Sequence, residues 1–118
     1  MLAAQVNEQG KDATRAKTQL QWVIDHAGEA ELRDVARLRL ASLLLDEAKY
    51  AEAMTLLKTE HSASFDGLYN DLEGDALSAQ GKADEARSAY KLAYEKTDPK
   101  SMYRNLIKMK LDALVTSK

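Results

Sequence analysis

Apolar residues recur at three- and four-residue spacing along almost the whole chain, in blocks parted by short polar or glycine-bearing breaks. That period predicts a succession of helices. The first runs from about Asp12 to His26, with Ala13, Ala16, Leu20, Val23 and Ile24 on one side, and breaks at Gly28. A second, Leu32 to Asp46, carries Val35, Ala36, Leu40, Leu43 and Leu44; a third, about Tyr50 to Glu60, carries Ala53, Met54, Leu56 and Leu57. The polar segment HSAS parts it from a fourth helix, Phe65 to Gln80, which Gly81 ends. A fifth spans about Lys82 to Tyr94. In TDPKS, Asp98 is the expected N-cap and Pro99 the first helical residue of a sixth helix. That helix reaches about Val115, with Met102, Leu106, Met109, Leu111 and Leu114 apolar. No stretch alternates with period two for long enough to predict a strand, so the expected fold is all-α.

One residue breaks the pattern. Gly74 sits inside the stripe Leu68, Leu72, Ala76, Ala79, where glycine costs roughly 0.5–1 kcal/mol relative to alanine. Self-similarity explains it. A shift of 33 places Ala41 on Gly74, Leu44 on Leu77, Lys49 on Lys82, Ala53 on Ala86 and Leu57 on Tyr90. AKYAEAMTLL (48–57) and GKADEARSAY (81–90) are two versions of one string, with Ala48 where the second has the turn glycine. A helix–turn–helix unit recurring near 34 residues resembles a tetratricopeptide repeat. On that reading Ala41 and Gly74 mark where the partner helix crosses closely, and the small residues Ala53 and Ala86 face them. Ala16 and Leu20 make a partial earlier copy, 37 residues before Ala53 and Leu57, with residues 2–9 as the tail of its first helix. The expected architecture is one domain, 1–118, forming an α–α superhelix. It divides into a partial repeat (1–29), repeats at 30–63 and 64–98, and a capping helix (99–116). The chain reads as beginning inside a repeat, as a piece of a longer protein would.

Composition narrows the chemistry. Charged residues make up 31% of the chain and the net charge is −2, with lysine and arginine scattered, so no basic face is offered to nucleic acid. There is no cysteine, hence neither a disulfide framework nor a thiolate nucleophile. His26 and His61 lack the company a metal site needs, and DLEGD (71–75) lacks calcium-loop spacing. No phosphate-cradling loop and no nucleophile–base constellation can be argued from spacing. No cofactor is expected, and an enzyme is disfavoured.

Stacked helix pairs line a concave face with their first helices. The repeat register predicts that face from Val35, Leu38, Ser42 and Leu45, then Leu68, Asp71, Asp75 and Ser78, then Ser101, Arg104, Lys108 and Leu111. Its apolar end, at Leu38, Leu45 and Leu68, would seat a peptide segment, or else pack under neighbouring helices. Asp71 and Asp75, one turn apart, precede Arg104 and Lys108 by 33 residues, so the two pairs are expected to face each other as interhelix ion pairs or as a clamp on a partner. Trp22 lies opposite its helix's apolar stripe, either as an exposed contact or against residues outside this chain.

The stretches DVARLRLASLLLDEAKYAEAMTLL (34–57), LYNDLEGDALSAQGKADEARSAY (68–90) and MYRNLIKMKLDAL (102–114) together resemble the YfgM-type ancillary subunits of the Sec translocon. The most specific part is the glycine-centred first helix followed by a glycine turn and an Ala-Arg-x-Ala helix. The resemblance implies a periplasmic repeat domain anchored by a single membrane span, on the periplasmic face of the bacterial inner membrane. It implies association with SecYEG and with a membrane-anchored, periplasmic isomerase-like chaperone. It also implies help in handing secreted proteins to periplasmic chaperones, with no catalytic residues to carry over. A general repeat adaptor for another envelope complex, and a self-associating array, are the alternatives.

Overall fold

The computed structural model describes the backbone of residues 2–116 and the side chains of residues 12–114. Its helices are α1 (Leu2–His26), α2 (Ala30–Asp46), α3 (Tyr50–Leu57), α4 (Asp66–Ala79), α5 (Ala83–Lys96) and α6 (Met102–Thr116). A short 3-10 turn, Ala63–Phe65, leads into α4, and no strand occurs among the described residues. The expected all-α class holds. Helices α2 and α3 form one hairpin and α4 and α5 a second, with α6 packed on the outer end.

Three boundaries differ from the sequence expectation. Residues 2–9 are not the tail of a separate helix, since α1 runs unbroken from Leu2. The segment carries Leu2, Ala3, Ala4, Gln5, Glu8 and Gln9, good helix formers, and the lone Gly10 is too weak a breaker to stop it. Helix α3 stops at Leu57, short of Glu60, because the following residues are drawn onto α2: the Ser62 N–H donates to the Asp34 carboxylate at 2.9 Å. Helix α6 starts at Met102, three residues after Pro99. Asp98 caps a turn instead, accepting from the Lys100 N–H at 2.9 Å, and Ser101 Oγ takes the Tyr103 N–H at 3.1 Å as the true N-cap.

Both hairpin turns are built alike. Gly81 has φ +79°, and the N–H groups of Gly81 and Lys82 bond to the carbonyls of Ser78 and Leu77 at 3.0 and 2.9 Å. This is the Schellman closure that favours glycine. Ala48 stands in the same left-handed conformation, φ 61°, with Ala48 and Lys49 bonding to Leu45 and Leu44 at 3.0 and 2.8 Å. The turn geometry is therefore kept where the glycine is not.

The interior falls into two clusters. One joins Leu40, Ala41 and Leu44 of α2 with Ala53 and Leu57 of α3 and Tyr69 of α4. The other joins Ala86, Tyr90 and Ala93 of α5 with Ile107 of α6. Gly74 marks a close approach, as its repeat position predicts, but the residue crowding it is not Ala86. A Cβ built on Gly74 would lie 2.9 Å from Tyr90 Cζ and closer still to Cδ1 and Cε1. Gly67, two turns earlier, marks a second close approach, where a Cβ would lie 2.5 Å from the Thr97 hydroxyl at the end of α5. The two glycines let α5 settle directly on the α4 backbone.

Candidate functional site

The acidic pair on α4 is the most developed polar feature. Asp71 is only 1% exposed, placed by α4 where α5 and α6 converge on it. Lys110 Nζ reaches both of its carboxylate oxygens at 3.1 Å, and the Tyr103 hydroxyl donates to Oδ2. Asp75, one turn on, accepts from the Tyr90 hydroxyl at 2.5 Å and lies 3.1 Å from Lys110 Nζ. The ammonium also stands 5.7 Å from the centroid of the Tyr90 ring.

The electrostatics follow from burial. Desolvation pushes the Asp71 carboxyl up despite the opposing Tyr103 and Lys110 contacts. Burial pulls Lys110 down, but the two carboxylates outweigh it and hold the ammonium above its ordinary value. Tyr90 and Tyr103 are both pushed up, first by burial and then by the carboxylates they bond. A hydroxyl that must donate to a carboxylate resists ionisation. The cluster is a closed clamp joining α4, α5 and α6.

The expected partners of this pair are not the observed ones. Arg104 turns toward α5, where Nε donates to the Tyr94 carbonyl at 3.1 Å and the guanidinium stacks 3.9 Å over the Tyr94 ring. Lys108 is exposed. Helix α6 presents Tyr103, Ile107, Lys110 and Leu114 inward, so Lys110 rather than Lys108 meets the acids. The stripe Met102, Leu106, Met109 faces outward instead, with Met102 87% exposed. The i, i+4, i+7 spacing from Tyr103 was readable, but its third member is a lysine and the rival stripe is wholly apolar.

The predicted concave face divides in the same way. Leu38 and Leu45 pack against the α2–α3–α4 cluster, which is the alternative in which neighbouring helices cover them. Asp71 is interior, while Val35, Asp75 and Arg104 are half-buried. Ser42, Leu68 and Lys108 reach solvent. Trp22 is exposed, 60%, and stacks on His26 with ring centroids 4.5 Å apart. Of the small repeat positions, Ala41, Ala53, Gly74 and Ala86 are buried, whereas Ala16 is half-buried beside an open groove.

One polar centre escaped the sequence reading. Asp34 is buried at the start of α2 and takes the Arg37 guanidinium at 3.2 Å besides Ser62 N–H. The Tyr69 hydroxyl donates to the Asp34 carbonyl at 2.7 Å, and His61 stacks on the Tyr69 ring at 3.8 Å while contacting Asp66 at 2.7 Å. Nothing periodic announces it, because the partners come from a loop and two different helices.

Two grooves flank α2. One, about 490 Å³, is lined by Lys17, Gln21, Leu40, Leu44 and Leu56. The other, about 570 Å³, lies between α1 and α2 and is lined by Ala16, Leu20, Val23, Arg39, Ser42 and Leu43. Among the described residues no group of three or more His, Cys, Asp or Glu is placed to hold a metal, and no helix is long and apolar enough to cross a membrane. The surface thus offers apolar grooves and exposed hydrophobic side chains, the means of holding other polypeptides.

Comparison with known proteins agrees with this architecture. An ancillary SecYEG translocon subunit of Neisseria gonorrhoeae is 36% identical over 99 residues, which are 84% of this chain and 47% of that protein. The chain spans about half the length of that curated relative. No solved structure matches it. A family model described as a tetratricopeptide repeat-like domain matches residues 1–116, nearly the whole of the helical array. The chain belongs to the tetratricopeptide repeat-like domain family.

Proposed function

We propose that this chain is the repeat domain of an ancillary Sec translocon subunit and works as a non-enzymatic protein-interaction module. The observation that carries this reading is the 36% identity to an ancillary SecYEG translocon subunit across 84% of the chain. The exposed Trp22, Leu32, Leu68, Met102 and Met109 support it as contacts for other polypeptides. The domain divides into a partial repeat, two full repeats and a capping helix, and acts at the periplasmic face of the inner membrane. There it helps emerging proteins pass to periplasmic chaperones, with SecYEG and an isomerase-like, membrane-anchored chaperone as its neighbours.

The test is site-specific photo-crosslinking in cells, with the probe at Trp22 and at Leu68, both exposed, and at Ala53, fully buried, as control. Adducts with translocon subunits, and heterogeneous adducts that need active translocation, are expected from the exposed positions only. Capture of one discrete envelope protein unrelated to secretion would make the chain an adaptor for another complex and end the translocon reading.

A further inference from the structure

The connection between the two hairpins is pinned through His61, and both nitrogens of its ring are engaged. Nδ1 lies 3.0 Å from the Thr59 carbonyl oxygen, and Nε2 lies 2.7 Å from Oδ1 of Asp66. A carbonyl and a carboxylate are acceptors only. A neutral imidazole carries one N–H, so it satisfies one of them and turns a lone pair on the other. The imidazolium donates to both. His26 makes the contrast: it is exposed at the end of α1, and only its Nδ1 meets an acceptor, the Trp22 carbonyl at 2.9 Å, so one proton suffices.

The ring is held from three sides. It stacks on Tyr69 of α4 with the planes 13° apart, and the Tyr69 hydroxyl donates to the Asp34 carbonyl of α2. Its neighbour Ser62 is the residue whose N–H reaches the Asp34 carboxylate. Charged groups surround it on every packed element. Arg33, Asp34 and Arg37 of α2 line the same cleft with Glu60. Asp66 and Glu73 come from α4, Lys96 from α5 and Lys58 from the end of α3. Acids and bases match in number, and most of the bases have partners of their own. Arg37 lies 3.2 Å from Asp34, Lys96 lies 3.5 Å from Asp66, and Arg33 donates to the Ala27 carbonyl at 2.7 Å. Asp66 is the acid in direct contact with the ring.

We infer that His61 carries a proton on both nitrogens while the connection is docked, and that losing one releases it, so that the joint between the hairpins is a latch set by pH. Histidine changes charge between about pH 5 and 8, and the latch is closed at the acid end and opens as pH rises. Opening sets a nitrogen lone pair against Thr59 or Asp66, draws Ser62 away from Asp34 and loosens α4 against α2. The next joint lacks the device. A shift of 33 puts Tyr94 in the place of His61, and the cation stacked there is the Arg104 guanidinium, 3.9 Å from the ring centroid. A guanidinium stays charged throughout that range. One joint of the array therefore answers to pH and the other is fixed. The inference stands apart from the translocon reading, since it rests on the two hydrogen bonds of one ring.

NMR of the 118-residue chain with isotope-labelled histidine tests it, read beside amide hydrogen exchange corrected for the intrinsic effect of pH. His61 is expected to show two protonated ring nitrogens in acid. Exchange protection of the Ser62 N–H is expected to fall by roughly tenfold from pH 5 to 8, in step with the His61 signals, while protection in α6 holds. His61→Gln and Asp66→Asn are each expected to abolish that pH response. Ser62 protection that stays level while His61 titrates overturns the inference, and this reading uses the native chain alone, so it holds whether or not the variants fold. A pH response that survives in folded His61→Gln overturns it as well.

Discussion

The α2–α3 and α4–α5 hairpins solve one packing problem with the volume placed on opposite sides. In the first, Ala41 meets a cluster containing Leu57; in the second, the matching positions are Gly74 and Tyr90. Removing a methyl from the first helix makes room for an aromatic ring on the second. The exchange also changes what the hairpin can do. Leu57 ends inside an apolar cluster, whereas the Tyr90 hydroxyl reaches Asp75 and its ring faces Lys110, the residue that ties α6 to the array. Gly74 is therefore the position that allows the second hairpin to carry the polar clamp for the terminal helix.

Breaking the clamp should cost most. Lys110→Met removes the cation from buried Asp71, and about 2–4 kcal/mol of stability should be lost, read by urea unfolding, because an unpaired buried carboxylate remains. Hydrogen exchange should show the loss concentrated in α6.

The packing trade is tested next. Gly74→Ala, which would gain helix propensity on an open surface, should here destabilise by about 1–3 kcal/mol, since the new methyl enters the Tyr90 ring. Adding Tyr90→Leu recreates the Ala41–Leu57 pair. The double variant should be more stable than the sum of the single effects, by a coupling of about 1 kcal/mol or more. Additive losses would show that the two positions are not exchanging volume.

Alkaline solution probes the same contrast by titration. In the folded chain Tyr69 is pushed up to about 12, mainly by burial, and Tyr90, Tyr103 and Lys110 are raised as well. Each raised group contributes stability that is fully present below its unfolded value, near 10.0 for tyrosine and 10.5 for lysine, and that is lost as pH climbs through the folded value. Unfolding free energy should therefore fall from about pH 10 upward, by as much as about 1.4 kcal/mol per pH unit for each group titrating. Tyr103→Phe should flatten that fall.

The turns give the smallest effects, of opposite sign. Gly81→Ala should lower stability by about 1 kcal/mol, and Ala48→Gly should raise it by about 0.5–1 kcal/mol, because both positions hold left-handed backbone. Thermal melts of the two variants would show it directly.

These contrasts also show what the sequence could convey. Period alone located every helix, and the shift of 33 found the matching turns, even where Ala48 hid one of them. What period cannot tell is which face of a helix acquires a neighbour. Leu38 and Leu45 share a face that register assigns to a concave surface, but α4 packs close enough to cover them. Met102, Leu106 and Met109 form the more apolar stripe of α6, yet the stripe with Lys110 turns inward because buried Asp71 and half-buried Asp75 offset the cost of desolvating the ammonium. Asp34 lay outside any pattern, since its partners Ser62 and Tyr69 come from separate segments. The clash at Gly74 was foreseeable as a close crossing, but the crowding ring belongs to the residue that a shift of 33 aligns with Leu57.

If the array serves the translocon, as we propose, purification under gentle detergent decides it. The protein, tagged and expressed at its native level, should bring down SecYEG subunits in fixed ratio, and a Trp22→Ala, Leu68→Ala double variant should retain its fold while losing part of that yield. Recovery of the folded protein without any translocon subunit, at equal yield for both forms, would contradict the claim.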